Sequence, residues 1–292
     1  MHTLEMEETE ADGLTRHRLR VNENGEQRSI AVLVRAGKGP PLVWLTGFRS
    51  EMRSVKATAL DAFAAAQGRA LVRFDYTGHG ASEGRFEEAG LSVWFRDALA
   101  VLGAFVPEPP VLVGSSMGGW ISLLVTRELL RVAPHRAPAG LVLIAPATDF
   151  TEELMWKRFP DSIRETVLTT GVYERPSVYG DGPYPITLRL IEDGRGHLLF
   201  GAPLRLGCPV HILQGMEDPD VPYTHALRLV EHLPGEDVQL TFVKDGDHRL
   251  SRPQDIERLL QAVAGVVEQA ERRTAEAARR QESVATGGPE AG

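Results

Sequence analysis

The chain has 292 residues, 42% hydrophobic and 25% charged, with a formal net charge of −8. That is long enough for one large domain or two small ones and ordinary for a globular protein, and the sign is wrong for coating a polyanion such as nucleic acid. Its one cysteine, Cys208, excludes an intrachain disulfide and a Cys-rich metal site.

Cys208 stands beside Pro209 at the start of an apolar run and reads as a small core residue. The acidic first ten residues lack the apolar stretch of a secretory signal and the arginines of a transit peptide. No run approaches the ~18 apolar residues of a membrane span, so a cytoplasmic protein is expected. Among 32 basic residues only Lys38, Lys56, Lys157 and Lys244 are lysines, which points to a GC-rich bacterial gene.

Two alternating segments, near residues 15–21 and 29–35, precede any helical pattern and suit an antiparallel hairpin at a sheet edge. Short apolar runs follow at 42–45, 70–74, 111–113, 141–144, 210–213 and 238–243. Most are unbroken rather than alternating, as strands buried on both faces must be. Helical spacing marks segments at about 54–67, 91–105, 117–132, 223–232 and 253–271. The alternation predicts an α/β fold with a mostly parallel central sheet flanked by helices.

The rhythm breaks once, over residues 147–207. No buried strand is visible there, and large side chains abound: Met155, Trp156, Phe159, Tyr173, Tyr179, Tyr184, Leu198, Leu199 and Phe200. The segment is too long for a simple loop. It predicts a small inserted lid on a core of residues 1–146 and 208–271, with Trp156 and Phe159 as candidate substrate contacts. Residues 272–292, rich in Ala, Glu, Arg and Gly, are expected to extend the last helix and then fray into a disordered tail.

The run at 111–113 leads straight into Gly114-Ser115-Ser116-Met117-Gly118, and a helical pattern follows from Trp120. Strand, tight turn and helix are the setting in which G-x-S-x-G carries a nucleophile. Such a turn holds Ser116 in a strained conformation with its hydroxyl outward, and side chains at 114 or 118 would collide with the neighbouring strand or helix. The helix N-terminus offers N–H groups to a developing oxyanion. Ser115 is the rival hydroxyl but lacks the glycine frame, and a plain N-cap serine is the bland alternative.

A serine hydroxyl needs a base, and the base needs a carboxylate to orient it. Of nine histidines, only His248 follows the last apolar run in a polar turn, Lys244-Asp245-Gly246-Asp247-His248, and precedes the final helix. From there it can reach across the strand ends to Ser116. The acid belongs on the loop after the preceding run, where Glu217, Asp218 and Asp220 compete. Asp218, in G-x-x-D-x-x-V-P, is preferred, with Asp220 second and Glu217 third. The expected oxyanion donors are the backbone N–H groups of Met117 and of Phe48. Phe48 lies in Thr46-Gly47-Phe48-Arg49, where Gly47 permits close approach.

Together with Asp75-Tyr76-Thr77-Gly78-His79-Gly80-Ala81-Ser82, a D-x-x-G-x-G-x-S turn, these residues resemble the α/β-hydrolase superfamily over roughly residues 29–270. His79 belongs to that turn and reads as structural. Many members carry His-Gly where this chain has Thr46-Gly47, a change that a main-chain donor tolerates. A narrower likeness rests on Phe74-Asp75-Tyr76, the elbow from Gly114 to Trp120, Gly215-Met216 and Asp247-His248-Arg249. It is to the palmitoyl-protein thioesterase and acyl-glucuronide esterase branch, without that branch's mitochondrial location, for which the acidic N-terminus is wrong.

The resemblance implies a serine hydrolase that cleaves a carboxylic ester or thioester through an acyl-enzyme. It implies no cofactor or metal, and a small-molecule or acylated-protein substrate. C–C bond hydrolysis by the same triad, or a non-catalytic binding protein on this scaffold, are the alternatives. Serine rather than aspartate at the turn argues against dehalogenase and epoxide hydrolase chemistry.

Overall fold

An unbroken apolar strand is stable only if both of its faces are covered. In the computed structural model, which describes residues 2–10, 12–23, 26–176, 182–235 and 237–286, Leu42 and Trp44 enter one core while Val43 and Leu45 enter the other. The first half of the chain contains β1 (His2–Thr9), β2 (Leu14–Glu23), β3 (Glu26–Arg35), β4 (Lys38–Leu45), α1 (Val55–Ala66), β5 (Arg69–Phe74), α2 (Leu91–Phe105), β6 (Val111–Ser115), α3 (Met117–Val132) and β7 (Gly140–Ile144). The second half contains α4 (Asp161–Thr170), β8 (Val172–Arg175), β9 (Tyr184–Thr187), α5 (Leu188–Arg195), β10 (Val210–Gly215), α6 (Tyr223–His232), β11 (Val238–Val243) and α7 (Pro253–Thr286).

Nine strands form one sheet in the order β1-β2-β3-β5-β4-β6-β7-β10-β11. β1, β2, β3 and β5 pair antiparallel in turn. From β5 onward every pairing is parallel. Helices α1 and α7 cover one face, against Trp44, Leu71, Val113 and Val142. Helices α2, α3 and α6 cover the other, against Leu45, Val72, Leu112 and Leu141. Parallel strands all end on one side, so the loops after β4, β6, β10 and β11 gather along one edge of the sheet.

β1 lies outside the elements legible in the sequence. As an edge strand it takes its hydrogen bonds from β2 and leaves Leu4 exposed, so it needs no apolar stripe. Cys208 is half-buried, and burial pushes its thiol up to about 12. No helix among the described residues is long and apolar enough to cross a membrane. Tyr179 and the expected fraying tail at 287–292 lie outside the described residues.

Between β7 and β10 the chain leaves the sheet. A π-helical turn at Thr151–Met155 runs into a tight turn at Trp156–Arg158, then α4, the antiparallel hairpin β8–β9, and α5. The hairpin gives no strand signal because its residues are half-buried or exposed, apart from Ile186. Both ends of the segment are tied down. The Asp149 carboxylate accepts the N–H groups of Leu199 at 2.8 Å and Phe200 at 2.9 Å. The His225 Nε2–H donates to the Thr148 carbonyl at 2.8 Å, and its ring meets Phe200 edge-on at 5.2 Å. Further along, Ser92 Oγ donates to Asp193 and accepts from His197 Nε2 at 2.7 Å.

Burial outweighs the Thr148 bond and pulls His225 down to about 4. A folded-state pKa below the unfolded one means that the unfolded chain takes up the proton first. Stability from this group is therefore full above about pH 6.5 and is lost as pH falls toward 4, at roughly 1.4 kcal/mol per pH unit. Urea midpoints taken between about pH 7 and pH 4.5 should decline, and the decline should be shallower in His225→Gln, which cannot take up the proton.

Candidate active site

Ser116 joins β6 to α3 with φ 54° and ψ −115°. A non-glycine residue held there costs on the order of 1–3 kcal/mol and persists only when its surroundings over-determine it. Here its N–H donates to the Ile144 carbonyl at 2.8 Å, and its own carbonyl accepts from Gly119 N–H at 2.9 Å and Ala147 N–H at 3.1 Å. The two glycines of the turn are sterically required. A β-carbon at Gly118 would run into the Leu45 carbonyl, and one at Gly114 would strike the Gly118 carbonyl and Ser122 Oγ. Ser115 is the last residue of β6 and pairs with Ile144 as an ordinary strand residue.

The loop after β11 brings His248 over this turn. Its Nε2 lies 3.1 Å from Ser116 Oγ, and its Nδ1 lies 2.8 Å from Asp218 Oδ2. The Asp218 side chain is fully buried, while His248 keeps 17% exposure. Four donors hold the Asp218 carboxylate: His248 Nδ1–H, the N–H groups of Asp220 at 2.9 Å and Val221 at 2.8 Å, and Gln214 Nε2 at 3.3 Å. Of the three competing carboxylates, only Asp218 reaches the imidazole. Asp220 turns toward Arg175 of β8 at 3.5 Å, and Glu217 is exposed.

Donor atoms of Asp218, Asp220 and His248 lie within 4.8 Å of one another. Both Asp218 oxygens and both His248 nitrogens are already engaged, and Asp220 has Arg175. The trio is a hydrogen-bond network rather than an open cage of ligands.

The loop after β4 runs directly above the turn. A β-carbon at Gly47 would come within 3.3 Å of the Ser115 carbonyl and 3.4 Å of Ser116 Cβ. Phe48 follows, its ring among Phe86, Trp94, Phe150 and Tyr184. Met117 opens α3, where the first N–H groups have no acceptor within the helix. Phe48 thus follows the glycine that packs on Ser116, and Met117 is the residue directly after it.

An open cleft of about 950 Å³ surrounds Ser116 and His248. Its apolar lining comes from Phe48, Phe86, Phe150, Leu154, Met155 and Val221, with Tyr184 and Pro185 from β9. Trp156 and Phe159 are not among the lining residues: the Arg195 guanidinium covers the Trp156 ring at 5.1 Å, and Phe159 packs on Tyr173 at 5.9 Å.

Sequence reasoning passed over Lys56. It is mostly buried beside the cleft, donates to the Arg249 carbonyl and, at 3.3 Å, to Ser251 Oγ, and so ties α1 to the His248 loop. Burial pulls it down to about 8. Its only sequence signal was scarcity, one lysine among many arginines.

The sequence profile of the alpha/beta hydrolase family matches residues 39–262. Human palmitoyl-protein thioesterase ABHD10, mitochondrial, is 31% identical over 233 residues, which is 80% of this chain and 74% of that protein. A crystallised protein from Agrobacterium vitis S4, described as a hydrolase with no substrate named, superposes with a TM-score of 0.84 at 48% identity, covering 87% of this chain and 99% of that one. Alpha/beta hydrolase domain-containing protein 10 from mouse superposes with a TM-score of 0.78 at 30% identity, covering 86% and 98%. With a strained serine between β6 and α3, a parallel sheet that gathers its loops along one edge, and these likenesses along most of its length, the chain belongs to the alpha/beta hydrolase family.

Proposed function

We propose that this chain is a serine hydrolase that cleaves carboxylic esters or thioesters through an acyl-enzyme. The observation that carries the reading is the continuous hydrogen-bonded line from Asp218 through His248 to Ser116, at 2.8 and 3.1 Å. Ser116 Oγ attacks the acyl carbon as His248 Nε2 takes its proton. Asp218 keeps the imidazole in the tautomer that leaves Nε2 free to accept, and it balances the imidazolium that forms. The N–H groups of Met117 and Phe48 donate to the oxyanion. Collapse of the tetrahedral intermediate expels the alcohol or thiol, which takes the proton back from His248. Water then enters by the same route, releasing the carboxylic acid and restoring Ser116.

Residues 147–207 are the lid in this reading. Leu154, Met155 and Tyr184 supply part of the apolar lining, which suits an acyl chain. The likeness to a relative named palmitoyl-protein thioesterase supports the same substrate class, whether the acyl group is carried by a small molecule or by a protein.

Ser116→Ala should abolish turnover of p-nitrophenyl esters and labelling by a fluorophosphonate probe. Asp218→Asn should retain the fold but lower kcat by about 10³- to 10⁴-fold, because the imidazole is then held in the wrong tautomer. Unchanged turnover in Ser116→Ala would overturn the assignment.

Met155 is only 6% exposed yet borders the cleft. Met155→Trp should therefore cut kcat/KM at least tenfold for palmitoyl-thioester peptides while leaving acetyl esters within about threefold. A kinetic series of graded acyl length reads this directly.

A further inference from the structure

The turn Asp75 to Ser82 takes no part in the chemistry above, yet it touches the loop that carries Phe48. His79 is 4% exposed, with its ring among Tyr76, Phe86 and Trp94 at 5.8, 5.2 and 5.2 Å. Its Nδ1 lies 3.3 Å from the Thr77 carbonyl, and the Arg49 N–H donates to its Nε2 at 3.2 Å. A carbonyl can only accept and an amide N–H can only donate, so these partners select the neutral ring with hydrogen on Nδ1 and a bare Nε2.

Burial favours the same neutral form, pulling His79 down to about 4. The Thr77 carbonyl also accepts from Trp94 Nε1 at 3.0 Å, and the Thr77 N–H donates to buried Asp97 at 2.9 Å. The imidazole is therefore anchored from behind. The same turn grips the loop a second time, where Asp75 Oδ1 accepts the Met52 N–H at 2.7 Å.

Arg49, at φ 54°, is in the left-handed region that non-glycine residues avoid. Its N–H belongs to the peptide plane immediately after Phe48. Fixing that plane fixes how Phe48 is presented above Ser116. We propose that His79 is a positioning residue for the reaction: through the Arg49 N–H it locks the strained loop so that the Phe48 N–H is aimed at the oxyanion. This deepens the hydrolase reading and rests on it, since it assigns His79 a share in transition-state binding that leaves substrate affinity untouched.

The test compares two polar replacements of different reach. His79→Gln can place an oxygen where Nε2 was and accept from Arg49, whereas His79→Asn reaches only toward Thr77. His79→Asn should lower kcat at least tenfold with KM within about threefold, and weaken binding of an alkyl trifluoromethyl ketone, whose adduct with serine is an oxyanion, by the same factor. His79→Gln should keep both within about threefold of wild type.

Equal effects of the two replacements, or a fall in kcat with ketone affinity unchanged, would overturn the role of His79. Should either variant fail to fold, ¹⁵N spectra of the wild-type imidazole decide: a bare Nε2 is required, and an Nε2–H tautomer overturns the proposal. A wild-type chain that neither turns over esters nor binds the ketone would instead defeat the hydrolase reading itself, and the role of His79 with it.

Discussion

Helix α3 lies against the end of β4 with no room for a side chain between them. Gly118 meets the Leu45 carbonyl, and Gly114 lets the turn fold back on Ser122. That contact sets the position of Ser116 relative to the loop leaving β4, because the helix cannot withdraw without opening a gap in the core beneath it. Gly47 closes the same space from above, against Ser115 and Ser116. The strained backbone at Ser116 is sustained by this squeeze together with its bonds to Ile144, Gly119 and Ala147. The His248 and Asp218 loops then have a fixed target to converge on.

Three buried carboxylates near the cleft grip the backbone. Asp75 holds Met52 and Ala81, Asp97 holds Thr77, and Asp149 holds Leu199 and Phe200, each through main-chain N–H groups. Burial raises all three above the usual carboxylate range, and the N–H donors work against that rise. Asp218 uses the same device through Asp220 and Val221 on one oxygen, and the other is shared by His248 and Gln214. Asp75, Asp97 and Asp149 in this way join segments 20 to 51 residues apart, while Asp218 shapes its own loop.

The parallel strands were legible because burial on both faces writes an unbroken apolar run. Ser116 and His248 could be singled out because each lies on a loop that leaves the end of a strand, and the structure brings their side chains to 3.1 Å. For the acid the G-x-x-D-x-x-V-P pattern favours Asp218 over Asp220 and Glu217, but the path of the loop is decided by main-chain donors that carry no letter in the sequence. The lid contacts were chosen by side-chain size, and the structure uses Leu154 and Met155 at the cleft instead. The Trp156 ring lies under the Arg195 guanidinium and Phe159 packs on Tyr173, contacts that side-chain size alone does not foretell. β1 was illegible because an edge strand asks little of its side chains.

The excursion between β7 and β10 departs and returns through one neck, where Asp149 clasps Leu199 and Phe200 and His225 holds Thr148. None of the nine strands of the main sheet lies within it. Part of the cleft wall, Leu154, Met155 and Tyr184, is thus carried on a segment that adds no strand to the main sheet, while Phe48, Phe86 and Val221 line the cleft from the sheet's own loops. Substitutions on that segment can therefore reshape one wall of the cleft without altering a strand of the main sheet.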